Sequence, residues 1–484
     1  MSTIDDLRTI RINKMKELKK SGINPYPSSS NRSDSIKNIL LKNIDEEVSV
    51  AGRIVSIRKH GSVCFFDVKD MSGVIQIYIK KDELKDNTGD LIGFQNLDLL
   101  DLGDFIEVKG ITTLTQSKQF SVLAKEIKIL TKAIRGLPLG FDGLKNKEER
   151  LRKRYIDLNI NKEVFDRFVR RSQFWEAHRE FFRSNEFLEM TTPVLEMVPG
   201  GADAKPFVTH MEAIHQDFYL RISQELYLKR LIGGGYEKVF EIGPRFRNEG
   251  MSDEHTPEHI AMEFYMAYSN YKDGMEFVKN LLLYVVDKVY GKTNFSIRGF
   301  NVDISNNWDI VDYTELLYDK YKLDIFNTNM SEITHLLDEN KIDYKQKEIN
   351  VNRGIDLLWK KIRATIAGPV FIVHEPKFLS PLAKSCPEKI ELTERFHPII
   401  AGSEIGNGFS ELNDPIDQLE RFNEQEKLRE AGDDEAQMLD MDFVEMLEYG
   451  MPPTFGYGHT ERVFWFLEDV PAKEGVIFPL MKRE

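Results

Sequence analysis

The sequence predicts an α+β protein in which a small β-barrel precedes a larger domain of mixed helices and strands. Its 484 residues exceed one ordinary hydrophobic core, so two or three domains are expected. From Val48 to about Ile129, short alternating apolar and polar runs are separated by Gly and Ser, which is typical of a barrel. Beyond residue 160, helical periodicity alternates with β-rich segments punctuated by glycine. These observations place the barrel first and the helix-rich domain second.

The first 47 residues are predicted to form a helix followed by an extension. Apolar residues recur there at roughly helical spacing: Ile4, Leu7, Ile10, Met15 and Leu18. The break at Ser21–Gly22 ends this pattern, and the intervening lysines and arginines predict a basic outer face.

The predicted barrel spans residues 48–132 and carries an aromatic ring on its polar side. In the run from Ser62 to Asp70, Cys64 and Phe66 fall on one face and Phe65 on the other, because strand side chains alternate. Phe65 could stack on a splayed base, with Arg58 and Gln76 converging beside it. It could equally pack under a loop, and the residues alone leave both readings open.

A charged stretch, residues 133–160, is predicted to link the barrel to a second domain at 161–484. Within that domain the periodicity predicts helices from Phe165 to Ser184 and from Met275 to Tyr290.

Composition excludes several classes of protein. The net charge of −13 argues against nucleic-acid binding by bulk charge, so any such contact must rest on local patches. Cys64 and Cys386 are the only cysteines, which indicates neither a disulfide framework nor a zinc site and favours a reducing cytoplasm. No apolar run reaches the roughly 18 residues of a membrane span, so no membrane partner is expected.

The most informative segment runs from Val239 to Gly250 and continues, after a polar loop, at residues 261–268. It predicts strand, loop, strand, with Arg247 and Glu249 two apart and therefore on one face of the first strand. Such a pair can hold a phosphate and accept an exocyclic amine. A lone Arg-x-Glu is more often a surface salt bridge.

Two further segments favour the phosphate-binding interpretation over a surface salt bridge. They are Phe187-Leu-Glu-Met-Thr-Thr-Pro193 upstream and Gly456-Tyr-Gly-His-Thr-Glu-Arg462 near the C-terminus. With them the chain resembles the class II aminoacyl-tRNA synthetases, which share a strand ending in proline, an arginine–glutamate hairpin and a Gly-rich segment closing on arginine. Three more segments resemble the lysyl-tRNA synthetases in particular, namely residues 199–202, 221–230 and 404–414. The resemblance extends from about Val48 to the C-terminus.

The resemblance implies a five-stranded OB-fold barrel that reads the anticodon, and a catalytic domain whose six- to seven-stranded antiparallel sheet is flanked by helices. It implies activation of L-lysine with ATP and Mg²⁺, followed by transfer of lysine to tRNA(Lys). The segment ending at Pro193 resembles the dimer interface of the class, so a homodimer is expected.

The family's functional positions fall on particular residues of this sequence. Those implied to line the lysine site are Gly201, Glu225, Glu263, Tyr265, Asn407, Phe409 and Glu411, with Glu225 and Glu411 holding the ammonium group. Those implied for ATP are Arg247, Glu249, His255, His259, Glu404 and Arg462, with Arg247 and Arg462 as the catalytic phosphate-binding arginines. Glu404 matches a magnesium ligand, and Arg58, Phe65 and Gln76 match anticodon-reading positions.

The sequence departs from the family around ATP and its metals. His259 stands where phenylalanine usually stacks on adenine, Glu254 where an arginine is usual, and His397 where a second magnesium-binding glutamate is usual. Neutral imidazole is a poorer magnesium ligand than carboxylate, which leaves the number of metals open. The Gly-rich segment is also one residue shorter.

The chemistry of the implied pocket favours lysine, because an acidic site suits an ammonium group and disfavours aspartate.

Three alternatives remain at this stage. One is a tRNA-binding or lysine-activating paralogue that does not aminoacylate tRNA, and another is a ligase that transfers lysine to a different acceptor. The third is an aspartyl or asparaginyl enzyme of the same architecture.

Overall fold

A computed structural model describes residues 4–138, 144–345, 349–430 and 436–482 of the chain. The chain divides into two units, Met1–Asn161 and Lys162–Glu484. Among the residues within these ranges, the first unit contains one cluster of buried apolar residues and the second contains three. The predicted boundaries at residues 47, 132 and 160 stay predictions.

The first unit is built around a closed five-stranded barrel with the strand order β1-β2-β3-β5-β4. Its elements are α1 (Ile4–Lys20), α2 (Ile36–Ile39), β1 (Glu47–His60), β2 (Val63–Lys69), β3 (Val74–Lys80), a 3₁₀ helix (Phe94–Leu99), β4 (Phe105–Leu114), β5 (Phe120–Thr131), α3 (Lys147–Arg152) and α4 (Arg154–Ile160). The five-stranded OB-fold and the N-terminal helix are confirmed. The stretch predicted as a linker contains α3 and α4, where buried Arg154 bonds Asp157 at 2.8 Å.

Burial along β2 follows the alternation read from the sequence. Cys64, Phe66 and Val68 are buried in the barrel core, while Phe65 and Asp67 are only partly covered. The prediction that Phe65 lies on the polar side is therefore confirmed.

The second unit is built on a nine-stranded mixed sheet whose path is β14-β15-β18-β20-β21-β11-β10-β6, with β19 paired to β18. The strands of this unit are β6 (Leu188–Glu189), β7 (Leu195–Glu196), β8 (Phe207–Met211), β9 (Gln216–Leu220), β10 (Lys238–Phe246), β11 (Glu258–Ala267), β12 (Asn294–Ile297), β13 (Phe300–Asp303), β14 (Asp309–Asp312), β15 (Val370–Val373), β16 (Ser385–Cys386), β17 (Lys389–Thr393), β18 (Arg395–Ile400), β19 (Ser403–Glu404), β20 (Asn407–Ser410) and β21 (Thr454–Thr460). The helices are α5 (Lys162–Ser184), α6 (Glu225–Gly233), α7 (Tyr271–Tyr290), α8 (Tyr313–Tyr321), α9 (Met330–Glu339), α10 (Val351–Arg363), α11 (Pro415–Glu430), α12 (Met441–Tyr449), α13 (Arg462–Leu467) and α14 (Ala472–Gly475), with a 3₁₀ helix at Lys377–Leu379.

The expectation of six to seven antiparallel strands is corrected by this topology. The central strands from β15 to β10 pair antiparallel, but β14 pairs parallel with β15 and β6 pairs parallel with β10. The edge strands have only two to four residues, too few to leave a recognisable alternation in the sequence.

Helices α5 and α7, which confirm the two helices predicted from periodicity, cover one face of this sheet. Phe182 of α5 stacks on Phe240 of β10 with ring centroids 4.5 Å apart. Asn270 caps the first turn of α7 through a capping box, and Gly274 lets that helix approach Phe455 of β21. A closely packed layer of helices thus supports β10 and β21 from one side.

No helix within the described ranges is both long enough and apolar enough to cross a bilayer.

Candidate active site

A cavity of about 450 Å³ opens above the centre of the large sheet. Six of the seven residues predicted for lysine line it: Gly201, Glu225, Glu263, Tyr265, Asn407 and Phe409. The seventh, Glu411, is 1% exposed and lies one layer behind the wall. A Cβ built on Gly456, a wall residue, would come 2.1 Å from Glu411 Oε1.

The buried acids of this cavity meet a cation that belongs to the chain itself. Lys229 is fully buried one helical turn after Glu225, and its Nζ donates to Glu225 Oε1 at 2.5 Å. The same ammonium is ion-paired with Glu411 Oε2. Sequence reasoning therefore identified two carboxylates that converge but missed the lysine between them.

Burial and ion pairing have opposite effects on the pKa values of Lys229 and its two acids. Burial alone would lower the pKa of Lys229, but the charges of Glu225 and Glu411 outweigh that effect and raise the pKa. Burial raises the pKa of Glu411 well above its usual range and raises that of Glu225 as well. When both acids are ionised, their charge exceeds the single positive charge of Lys229, so a second cation in the cavity would favour their ionisation.

Glu263 and Tyr265 extend along the wall beside these acids. Glu263 Oε1 accepts hydrogen bonds from Ser223 Oγ at 2.9 Å and from Arg245 Nη1 at 3.0 Å. The hydroxyl of Tyr265 donates to Glu263 Oε2 at 3.4 Å, and burial raises the pKa of that hydroxyl well above its usual range. Tyr265 is thus a neutral hydrogen-bonding group in an acidic wall.

Glycine at position 201 keeps the cavity open. Its φ of +81° is left-handed, and a Cβ there would lie 2.7 Å from the Cβ of Glu225. A larger residue would therefore strain the backbone and collide with Glu225.

A smaller cavity of about 70 Å³ holds most of the residues predicted for ATP. Its lining includes Arg247, Glu249, His255, His259 and Arg462, whereas Glu404 lines the larger cavity. Arg245 and Arg247 line both cavities. The two arginines therefore mark the junction where a group in one cavity would meet a group in the other.

The prediction that Arg247 and Glu249 project from one face of a strand is wrong, because β10 ends at Phe246. The register pairs Phe246 with Glu258, so the next partner of β10 is Pro257. Proline has no N–H to donate, and only the bond from Arg247 N to Pro257 O remains, at 2.8 Å. The pair lies in the following loop yet still lines one cavity.

The arginines of the small cavity are arranged to hold an anion. Arg247 Nε is buried and has no hydrogen-bond partner among the described residues, which is costly for a charged donor. Arg462 Nη2 lies 3.3 Å from His255 Nε2 and contacts the backbone oxygen of Glu404 through Nη1 at 3.3 Å. Burial and the charge of Arg462 lower the pKa of His255, so this histidine is a neutral acceptor.

The residues that depart from the family at 259 and 254 both contact neighbouring arginines. His259 Nε2 lies 3.0 Å from Arg245 Nε, and burial lowers the pKa of the ring well below its usual range. This neutral ring therefore accepts from Arg245. Glu254 is ion-paired with Arg298 and lies 3.9 Å from Arg462 Nη1. Arg298 thus places a guanidinium beside the carboxylate that stands where the family has an arginine.

The residues expected at the metal positions lie in a network of acids and bases. Glu404 Oε1 accepts from Trp359 Nε1 at 2.9 Å and pairs with Arg363 at 3.0 Å. His397 lies 3.4 Å from Glu375 Oε2 through Nε2 and 3.8 Å from Glu404 Oε2 through Nδ1. Burial alone would raise the pKa of Glu404, but His397 and Arg363 lower it to about 2.

Carboxylates near Glu404 suit a hard cation. Burial raises the pKa of Asp356, and the charges of Glu404 and Glu375 raise it further. The ligand atoms of these three acids do not converge on one point. Among the described residues, the group whose ligand atoms do converge is the exposed set His210, Glu212 and His215. That set lies outside the cavity lining.

In the barrel, Arg58, Phe65 and Gln76 line one open cavity of about 490 Å³. Phe65 stacks on Tyr78 with centroids 5.1 Å apart and ring planes 4° from parallel. Arg58 pairs with Asp67 at 3.0 Å, and buried Gln76 accepts from Ser121 Oγ at 2.9 Å. The three predicted residues therefore share one surface.

The residues that sequence reasoning missed differ in the signal they left. Lys229 follows Glu225 by four positions, but such helical pairs are usually solvent-exposed. Arg245 precedes Arg247 by two, a spacing that places alternate strand residues on one face. Glu375 and Arg363 left no signal, because tertiary packing alone brings them to Glu404.

Comparison with known proteins gives the same assignment over nearly the whole chain. Residues 146–482 match the family described as class II tRNA synthetases (D, K and N), and residues 48–130 match the OB-fold nucleic acid binding domain. The chain is 39% identical over 490 residues to the lysine–tRNA ligase of Thermosipho africanus, covering 99% of this chain and 96% of that protein. It is 41% identical to that of Fervidobacterium nodosum, with 99% and 95% covered, and 40% identical to that of Thermotoga maritima, with 99% and 96% covered. On its motifs, its sheet and these matches, the chain belongs to the class II tRNA synthetases of the D, K and N group.

Proposed function

We propose that this protein activates L-lysine with ATP and transfers the lysyl group to the 3′ end of tRNA(Lys). One observation carries the proposal: an acidic cavity with a surplus of negative charge meets an arginine-lined cavity at Arg245 and Arg247. The first suits an ammonium group and the second suits phosphates. Relatives that match over nearly their full length are lysine–tRNA ligases, which favours this reaction over a paralogue that does not charge tRNA.

The first step joins the contents of the two cavities. The lysine carboxylate attacks the α-phosphorus of ATP, the bond to the β-phosphate oxygen breaks, and pyrophosphate leaves. Glu225 and Glu411 hold the lysine ammonium at one end, while Arg247 stabilises charge on the α-phosphate at the junction. A carboxylate is already a nucleophile at neutral pH, so the protein contributes alignment and charge rather than a side-chain nucleophile.

The second step uses the adenylate at the same place. The terminal ribose hydroxyl of tRNA attacks the lysyl carbonyl carbon, and AMP leaves with the bonding electrons of the mixed anhydride. In the first step Arg462 and His255 hold the phosphates of ATP. In both steps Glu249 accepts a hydrogen bond from the adenine amine, and His259 faces the adenine ring.

We propose Glu404 as the main protein ligand of Mg²⁺, with Asp356 and Glu375 adding negative charge around it. Bound Mg²⁺ would neutralise phosphate charge during pyrophosphate release. His397 is proposed to position the two glutamates between which it lies, since neutral imidazole is a weak magnesium ligand.

We propose a homodimer formed around the segment that ends at Pro193. Large apolar residues are exposed in and near this segment: Leu188, Leu195, Met197, Val208, Met211 and Ile214. Contiguous exposed apolar surface is typical of a protein interface. The free, buried thiols of Cys64 and Cys386 are consistent with a reducing cytoplasm as its compartment.

Pyrophosphate exchange into ATP, measured with each amino acid in turn, tests the proposal. Lysine should support exchange well above every other amino acid, and aminoacylation of tRNA(Lys) should follow. Exchange with aspartate or asparagine instead, or with no amino acid, would reject lysine as the substrate.

Replacing Glu225 with Gln should raise KM for lysine roughly 10- to 100-fold, because one of the two acids that balance the ammonium is lost. KM for ATP should stay within about twofold, since Glu225 lines only the larger cavity. Glu448→Gln, an exposed position on α12, is the matched control and should leave both constants unchanged. Equal losses for both substrates in Glu225→Gln would contradict the lysine-site assignment.

A further inference from the structure

Lys229 lies fully buried between two acids of the lysine cavity, and the reaction itself assigns it no part. Resting on the proposed function, we infer that Lys229 is a positioning residue: a permanent counter-cation that fixes Glu225 and Glu411 and leaves the pocket one negative charge for a substrate ammonium. It does not contact substrate, and it determines how many positive charges the pocket accepts.

The position of this ammonium is fixed by its helix and by aromatic rings. Lys229 and Glu225 are four residues apart on α6, so they share one face of the helix. The Nζ atom lies 5.3 Å from the centroid of Phe409 and 5.8 Å from that of Phe443. Apolar rings around a fully buried chain leave it no route to solvent and few alternative rotamers.

Counting the charges that face the acids gives a surplus of one. Glu225 and Glu411 carry two negative charges, and Lys229 supplies one positive charge. Two more wall residues place charges near Glu225, but each has its own partner: Glu263 is paired with Arg245 at 3.0 Å, and Arg395 is paired with Glu375 at 2.8 Å. The remaining single negative charge equals the charge of one lysine side chain.

An acceptor atom without a partner remains beside the cavity wall. Lys229 engages Oε1 of Glu225 and Oε2 of Glu411. Oε1 of Glu411 is buried, accepts no hydrogen bond from the described residues and lies against the wall glycine Gly456. Lys229 thus holds one oxygen of each acid and leaves the others for the substrate.

A pocket without Lys229 would carry two uncompensated buried acids, which such a site relieves by taking up a proton or by moving the acids apart. Either response removes the acceptor geometry that an ammonium group needs. With Lys229 in place, a neutral side chain of similar length would leave one buried charge unpaired. The counter-cation therefore contributes to selectivity for a singly positive side chain.

The test compares lysine-dependent pyrophosphate exchange in wild-type protein, Lys229→Met, Glu411→Gln and the double variant. Lys229→Met should raise KM for lysine at least about tenfold, with KM for ATP within about twofold, because a buried ion pair has lost one partner. Glu411→Gln leaves the pocket neutral and should lose more. The double variant restores a single negative charge, so its KM for lysine should be at least about fivefold lower than that of Glu411→Gln.

The barrel offers a matched control in Lys132, a second fully buried lysine held by two acids. Its Nζ lies 2.6 Å from Asp101 and 2.8 Å from Asp104. Lys132→Met should lower thermal stability by a similar amount but leave KM for lysine unchanged, since exchange needs no tRNA. Circular dichroism and KM for ATP report whether each variant folds. If Lys229→Met does not fold, the double variant carries the comparison, because it holds one uncompensated negative charge instead of two.

Two outcomes would overturn the inference. If Lys229→Met binds lysine as well as wild type or better, the Lys229 ammonium is not needed for lysine binding and only occupies space that the substrate could use. If the double variant is no better than Glu411→Gln, Lys229 does not act through charge. Absence of lysine-dependent exchange in wild-type protein would reject the proposed function itself, which keeps the two failures distinct.

Discussion

Two arginines at the junction of the cavities, Arg245 and Arg247, show how single residues prepare this site for an anion. Burial and the neighbouring charge of Arg247 together lower the pKa of Arg245 to about 10. A buried and a partly buried guanidinium thus repel each other at the junction of the cavities, and the buried Nε of Arg247 has no hydrogen-bond partner among the described residues. An anion bound beside them would offset this repulsion and accept from Arg247 Nε, as donors placed in advance do when they stabilise developing charge.

The acids of the lysine pocket predict a pH-dependent affinity. Burial raises the pKa of Glu225 and of Glu411 above the ordinary 4.5, against the opposing charge of Lys229, and Glu263 adds to the rise. An ammonium ligand favours the ionised acids, so affinity for lysine should be full above their raised pKa values and fall as the pH drops through them. The pKa of Tyr265 is raised as well, so its hydroxyl stays neutral across this window.

Calorimetric titration of lysine between about pH 5 and pH 8, in buffers of different ionisation enthalpy, checks this prediction. Binding should release protons at the acid end of that range. ATP titrated under the same conditions corrects for effects on the other cavity. A dissociation constant for lysine that is independent of pH, with no proton release, would contradict it.

At the scale of elements, the site depends on how closely α7 packs on β21. Gly456 and Gly458 of β21 line the lysine cavity, and Phe455 of the same strand faces the helix. A Cβ at Gly274 would come within 2.2 Å of the Phe455 ring. The helix therefore sets the height of the strand that forms the cavity floor.

Replacing Gly274 with Ala should lower the free energy of unfolding by about 1–3 kcal/mol, because α7 or Phe455 must move. The same shift should raise KM for lysine through β21. Urea denaturation and pyrophosphate exchange measure the two effects. Asn280→Ala, on the exposed face of α7, should change the free energy of unfolding by no more than about 0.5 kcal/mol. If Gly274→Ala is as stable as wild type, the helix and the Phe455 ring must leave room for a methyl group at position 274, and the close contact proposed between them would be wrong.

The elements also show how far sequence patterns reach. Long periodic segments predicted α5, α7 and the barrel, because burial of one face leaves a repeating signal. The end of β10 at Phe246 was not predicted, since it depends on Pro257 of the partner strand. Family motifs identified Glu225 and Glu411 but not Lys229, because helical spacing alone does not indicate whether an ion pair is buried.

At the scale of the whole molecule, each unit has its own core and its own functional surface. The net charge of −13 means that contacts with RNA rely on local groups. Part of the basic face of α1 is engaged within its own unit, since Arg11 donates to the backbone of Ala133 at 3.0 Å and Lys14 pairs with Asp101 at 2.7 Å. The open cavity lined by Arg58 and Phe65 is therefore the more promising RNA surface of the barrel.

This division predicts that the two steps of the reaction respond differently to a change in the barrel. Phe65→Ala should raise KM for tRNA(Lys) in aminoacylation roughly 5- to 100-fold, because one aromatic platform for a base contributes about 1–3 kcal/mol. Pyrophosphate exchange without tRNA should stay at the wild-type level, since the proposed lysine and ATP residues all belong to the second unit. Phe105→Ala is the matched control, because Phe105 is a partly buried barrel ring that packs under Arg53 and lies outside the cavity. It should affect stability and leave KM for tRNA near wild type. Equal increases in both variants would mean that Phe65 supports the barrel rather than a base, and loss of exchange in Phe65→Ala would contradict the division of labour between the units.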